Sequence, residues 1–124
     1  MSWTSEELSR IAAADELRFA SNRPDGTLRP SVIIWVVCVG DHVYVRSAYG
    51  STNPWFRRAV ASGRGRIAVP GLERDVELER PDDADHAAID AAYHAKYDRY
   101  PPKIVATVVG PDVRDVTLRL LPLA

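Results

Sequence analysis

The chain has 124 residues, with 16 Lys or Arg against 17 Asp or Glu, a formal net charge of −1 and one cysteine. That length supports a single domain over 1–124, and the near-neutral balance argues against bulk attraction to nucleic acid or an anionic membrane. No apolar run approaches the roughly 20 residues of a membrane span, and the first residues lack the basic and apolar regions of a secretory signal. The expected location is therefore cytoplasmic, with Cys38 a small buried hydrophobe rather than a nucleophile.

Thr4 and Glu7 form a capping box for a helix running to about Ala14, with Trp3 stapled against Leu8 and with Leu8, Ile11 and Ala12 turned inward. Residues 16–21 alternate, Leu17 and Phe19 on one face and Arg18 on the other, which predicts a short strand. The turn at 22–26 predicts a hairpin into one long β-branched run over 28–39, with Pro30 near its start. Gly40-Asp41 is a second turn, before a strand over 42–47. A helix over 54–62 is stopped by Gly63, and short strands at 66–69 and 74–79 flank Pro70-Gly71. A further helix to about Tyr100 presents Ile89, Ala92, Tyr93, Lys96, Tyr97 and Tyr100 on one face, and Pro101-Pro102 ends it. Strands over 104–109 and 113–121 close the chain, so hairpins outnumber βαβ units and a barrel or sandwich is expected.

The segment 43–58 carries the most chemistry. Val43 and Val45 alternate with Tyr44 and Arg46, a small-residue loop follows, and Asn53 and Pro54 begin a helix whose amides, from Trp55 onward, are free to meet an anion. Between Gly26 and Leu72 the only acidic residue is Asp41, against Arg29, Arg46, Arg57, Arg58, Arg64 and Arg66. Arg46, Ser47, Tyr49, Asn53 and Arg58 are the expected cradle for an anionic ligand, a cofactor phosphate being the natural candidate. The plain alternative is a solvated loop and a helix whose arginines serve solubility.

Other residues divide in the same way. Trp35 and Tyr44 lie on neighbouring strands, where their rings either face a flat heterocycle or pack. Tyr93 and Tyr97 either pack against the sheet or, with the helix across a barrel mouth, line a substrate pocket and act as catalytic proton donors. Asp90, His94 and Asp98 read as a solvated helix face, and no metal site is expected.

The order of elements, together with Gly26-Thr-Leu-Arg-Pro30, Asp41-His-Val-Tyr-Val-Arg-Ser-Ala-Tyr-Gly50 and Asn53-Pro-Trp-Phe-Arg-Arg-Ala59, resembles the FMN-binding split β-barrel superfamily. Within it the chain is most similar to the deazaflavin-dependent nitroreductases and quinone reductases. Over nearly its full length it also resembles a domain-of-unknown-function family of the same fold, common in actinobacteria. The resemblance implies a mainly β (α+β) split β-barrel of about seven strands and three peripheral helices, assembled as a homodimer. It implies FMN or a deazaflavin coenzyme, with Arg29 on its phosphate or acidic tail. Ser47, Ala48 and Tyr49 would wrap the cofactor, and Asn53, Trp55 and Arg58 would meet it at the helix start. The family's Gly-Arg-Lys-Ser-Gly turn is replaced here by residues 23–29, which contain no lysine.

The function so implied is a flavin- or deazaflavin-dependent oxidoreductase acting on a small organic molecule. The alternative is a cofactor-free small-molecule binder or biosynthetic enzyme of the same fold, its pocket lined by arginine and by Trp35, Tyr44, Trp55, Tyr93 and Tyr97. Nucleic-acid binding is disfavoured by the overall charge.

Overall fold

The computed structural model describes residues 2–123. Thr4 caps α1 (Ser5–Ala13) as the sequence predicts: its hydroxyl accepts from the Glu7 amide at 3.1 Å, and the Glu7 carboxylate accepts from the Thr4 amide at 2.9 Å. Ile11 is buried from this helix, whereas Ala12 stays exposed. There follow β1 (Leu17–Ser21), β2 (Val32–Ile34), β3 (Val37–Val39), β4 (His42–Arg46), α2 (Pro54–Ser62), β5 (Arg64–Val69), β6 (Leu72–Glu79), α3 (His86–Tyr97), α4 (Pro102–Val105) and β7 (Thr117–Pro122). None of the described helices is long and apolar enough to cross a membrane.

The strands form one antiparallel sheet in the order β2-β1-β5-β6-β7-β4-β3. Its curvature follows from chain connectivity. β2 and β3 are the two edges of the sheet, yet only Trp35 and Val36 separate them. Three Cα steps reach at most about 11 Å, whereas seven flat strands would put the edges about 29 Å apart. The sheet must therefore curl until its edges nearly meet. It is the half-barrel the resemblance implies.

The barrel interior holds the larger core, which includes Ile11, Leu17, Phe19, Val43, Val45, Phe56, Ile67, Val76 and Leu118. A second core lies under α3, where Ile89, Tyr93 and Tyr97 pack on Val37, Tyr44, Val105 and Val108. Because β4 has a core on each side, Tyr44 and Arg46 are as buried as Val43 and Val45. At Gly65 a Cβ would stand 2.5 Å from the Ala20 carbonyl oxygen, so the approach of β5 to β1 requires glycine.

The seven strands arise differently from the sequence expectation. The predicted run over 28–39 breaks into β2 and β3, since each belongs to a different edge. The predicted strand over 104–109 is instead α4 and a 3₁₀ turn at Ala106–Val108, and a second 3₁₀ turn, Pro111–Val116, takes the start of the predicted last strand. α1, α2 and α3 are the three predicted helices.

Candidate functional site: an arginine cleft

The β1–β2 turn is tied to itself. The Arg23 amide donates to the Thr27 carbonyl at 2.7 Å, the Asn22 side chain donates to the Gly26 carbonyl at 3.1 Å, and Arg29 returns an amide to Ser21 at 2.9 Å. The Asp25 carboxylate accepts from the Thr27 hydroxyl and amide, which holds its pKa below the usual carboxylate range and its charge within the turn. α2 plugs the barrel with Phe56 and Ala59 and leaves Arg57 and Arg58 exposed. Gly63 ends it in the left-handed region, φ 72°, and the chain turns straight into β5, on which Arg64 and Arg66 flank Gly65.

These elements enclose a cleft of about 1100 Å³. Among the described residues its charged lining is six arginines, Arg23, Arg29, Arg57, Arg58, Arg64 and Arg66, and one carboxylate, Asp75. Asp75 is already engaged by Arg66, Nε to Oδ1 at 2.8 Å, with Glu73 3.5 Å from the same guanidinium. Among the described residues Arg23, Arg29, Arg57, Arg58 and Arg64 pair with no carboxylate, and the Nε of Arg29 is buried without a hydrogen-bond partner. Concave shape, unpaired guanidinium groups and a donor lacking an acceptor together suit an anion.

Of the expected cofactor ligands, Arg29 and Arg58 line this cleft, and so does Pro54. Arg46 does not. Its strand directs it under α3, where Nη1 donates to Asp90 and to the Val108 carbonyl (2.9 Å), Nε donates to Thr117 Oγ1 (2.9 Å) and Nη2 donates to His86 Nδ1 (3.1 Å). Ser47 is buried and donates to the Gly50 carbonyl at 2.7 Å; the Ala48 carbonyl accepts from the Asn53 side chain at 3.3 Å. Asn53 is thus an N-cap by position only, and its carbonyl already takes the Phe56 and Arg57 amides at 3.1 Å each. Trp55 packs edge-on against Phe19 with ring centroids 5.9 Å apart. Tyr49 is 81% exposed at φ 66°, away from the cleft lining.

The expected aromatic pocket is a packed core. Tyr44 Oη accepts from Arg119 at 2.8 and 3.2 Å, and Arg119 also pairs with Glu79 and Asp83. Trp35 stacks on Tyr97 with centroids 4.1 Å apart and planes 7° from parallel. Tyr97 Oη accepts from the Val36 amide (3.1 Å) and donates to the Asp15 carbonyl (2.7 Å). Tyr93 is fully buried, with the Arg46 guanidinium over its ring and its hydroxyl unpartnered. Burial raises the pKa of both Tyr93 and Tyr97, and neither lines the cleft. Arg23, Arg57, Arg64 and Arg66 are the cleft arginines that the expected cradle omits.

The contact of His86 with Arg46 has a pH consequence. Arginine only donates, so His86 Nδ1 must be unprotonated. Burial and the charges of Arg46 and Arg114 lower the His86 pKa, against opposition from Asp90 and Asp115. In the interval below the ordinary value of about 6.5 the unfolded chain binds more protons than the folded one, so stability rises with pH there. His86 is expected to contribute fully above that interval and to lose its contribution as pH falls through it. Urea midpoints between pH 8 and pH 5 for wild type and His86→Asn check this: the wild-type midpoint should fall more steeply, and parallel profiles would refute it.

A family model described as an uncharacterized protein conserved in bacteria (DUF2255) matches residues 7–120. No curated protein matches the chain significantly. Among solved structures it is similar to an F420 reductase (17% identity, 94% of this chain and 92% of that one, TM-score 0.58). It is also similar to a FAD-binding protein from Mesorhizobium loti (18%, 100% and 93%, 0.62). A heme storage protein from Vibrio cholerae matches as well (12%, 100% and 92%, 0.63). These likenesses establish the split-barrel fold, which serves more than one kind of ligand.

Proposed function

The chain belongs to the bacterial family DUF2255, and we propose that it is a redox protein using a flavin-type cofactor whose anionic end sits in the arginine cleft. The observation that carries this reading is the joining of a split-barrel fold, shared with an F420 reductase and a FAD-binding protein, to a cleft with five arginines that pair with no carboxylate and an orphaned Arg29 Nε. Arg29, beside the β1–β2 turn, and Arg58, on α2, hold the anion by charge-assisted hydrogen bonds, with Arg57 and Arg64 adding charge. A bound flavin or deazaflavin supplies the hydride or electron-transfer chemistry; the chain supplies binding, orientation and exclusion of water. In this reading the protein works in the cytoplasm as a symmetric dimer and acts on a small organic acceptor.

One observation favours a second reading, a cofactor-free binder of an anionic metabolite: no Phe, Tyr or Trp lines the cleft, so a flat ring finds no platform there. Fluorescence titration separates the two. The redox reading expects FMN, FAD or a deazaflavin to be quenched with micromolar or tighter affinity. No quenching by any of them, together with thermal stabilisation by a non-flavin anion, overturns it.

A further inference from the structure

We infer that the cleft is built for a small ligand with at least two adjoining anionic groups, of which a diphosphate is the simplest, rather than for a single phosphate monoester. The inference rests on reading the cleft as an anion site and leaves open what else the ligand carries. Its basis is the number and arrangement of the guanidinium groups. Each of three walls brings two: Arg23 and Arg29 from the turn, Arg57 and Arg58 from α2, Arg64 and Arg66 from β5. Only Arg66 is matched by carboxylates, Asp75 and Glu73. Arg23 directs Nη1 to the Leu28 carbonyl at 2.8 Å and forms no ion pair, although its charge acts on Asp25 in the same turn. One phosphate takes one or two bidentate guanidinium forks. The remaining arginines would then stand uncompensated around the same cleft. Two or three linked anionic groups engage all three walls at once.

The surroundings limit the ligand's size. β6 carries Glu73, Asp75 and Glu77 beside the arginine wall, in register with Ala68, Arg66 and Arg64 of β5. All three acids are exposed. The basic surface is therefore bounded on that side by an acidic stripe, which a long polyanion such as a nucleic acid strand would meet unfavourably. A compact ligand avoids it.

Calorimetric titration at constant ionic strength with orthophosphate, pyrophosphate, tripolyphosphate and a triglutamate peptide tests the inference. Pyrophosphate or triglutamate is expected to bind at least about tenfold tighter than orthophosphate, as one additional charged hydrogen-bond set provides. Whichever binds more tightly identifies the anion as phosphate or carboxylate. The exposed triple variant Arg57→Gln/Arg58→Gln/Arg64→Gln should weaken that binding about 100-fold with an unchanged urea midpoint, whereas Arg114→Gln, outside the cleft, should leave binding unchanged. Equal affinity for orthophosphate and pyrophosphate, no binding of any probe, an unaffected triple variant, or a single-stranded oligonucleotide binding more tightly than all of them overturns the inference. Tight FMN binding that pyrophosphate and triglutamate do not displace overturns it too and leaves the redox reading standing. Pyrophosphate binding without flavin binding does the reverse.

Discussion

Replacing Arg46 with methionine is expected to destabilise the fold by about 3–5 kcal/mol, the cost of breaking a buried ion pair from one side. The Arg46 side chain is 0% exposed and that of Asp90 27%, so water compensates little of what is lost. The substitution strands four partners on three elements: Asp90 and His86 on α3, the Val108 carbonyl in the 3₁₀ turn, and Thr117 at the start of β7. Asp90 also accepts from the Gly110 amide at 3.3 Å, which ties the 3₁₀ segment to the same ion pair. A loss of that size is a large part of the about 5–15 kcal/mol that holds a domain folded. Urea denaturation should show a lower midpoint with the slope retained. The double variant Arg46→Met/Asp90→Leu should recover part of the loss, since no charge is then left unpaired. A methionine variant of native stability that instead fails to bind pyrophosphate would place Arg46 back in the anion site.

Why Arg46 reads as a cleft residue in the sequence is a matter of distance along the chain. It stands in a stretch whose only acid is Asp41, and its true partner lies 44 residues later. No local pattern announces that pairing. Arg29, Arg57 and Arg58 share the same acid-poor stretch, and for them the inference of a basic surface fits the cleft, because their flanking elements are a self-tied turn and an exposed helix face. Arg64 and Arg66 carried a usable signal as well: they alternate with Gly65 and Ile67, which places both on the outward face of β5.

The fold was legible where signals are local. The capping box of α1, Gly63 behind α2 and the Gly40-Asp41 hairpin are written in consecutive residues. The break at Trp35-Val36 is not, because Val32 to Val39 is uniformly β-forming and only closure of the sheet sends its halves to different edges. The error at 104–109 has another cause. Ile104, Val105, Val108 and Val109 suit a helical face as well as a strand, and short apolar runs are ambiguous between the two. Pro102 at the first helical position decides it.

Tyr97→Ala is expected to cost about 3–5 kcal/mol, as deletion of a large buried aromatic does, and Tyr97→Phe about 1–3 kcal/mol, for a buried amide left without its acceptor. The amide is that of Val36, at the point where the chain passes from one edge of the barrel to the other. Residues 35 and 36 belong to no strand, so neither ladder satisfies their backbone. α3 does so instead: Tyr97 Oη takes the Val36 amide, and Lys96, its pKa lowered by burial, donates to the Val36 carbonyl at 2.8 Å. The same hydroxyl donates to the Asp15 carbonyl just before β1, so one phenol joins the crossing to the strand beside β2. Trp35 stacks on its ring, which is worth about 0.5–1.5 kcal/mol beyond burial and disappears only in the alanine variant. The two variants thus separate hydrogen bonding from packing in a urea titration. They also separate structure from chemistry: a phenylalanine variant with the wild-type midpoint but no turnover would make Tyr97 a proton donor. A lowered midpoint with anion binding intact is the result that the geometry of the crossing requires.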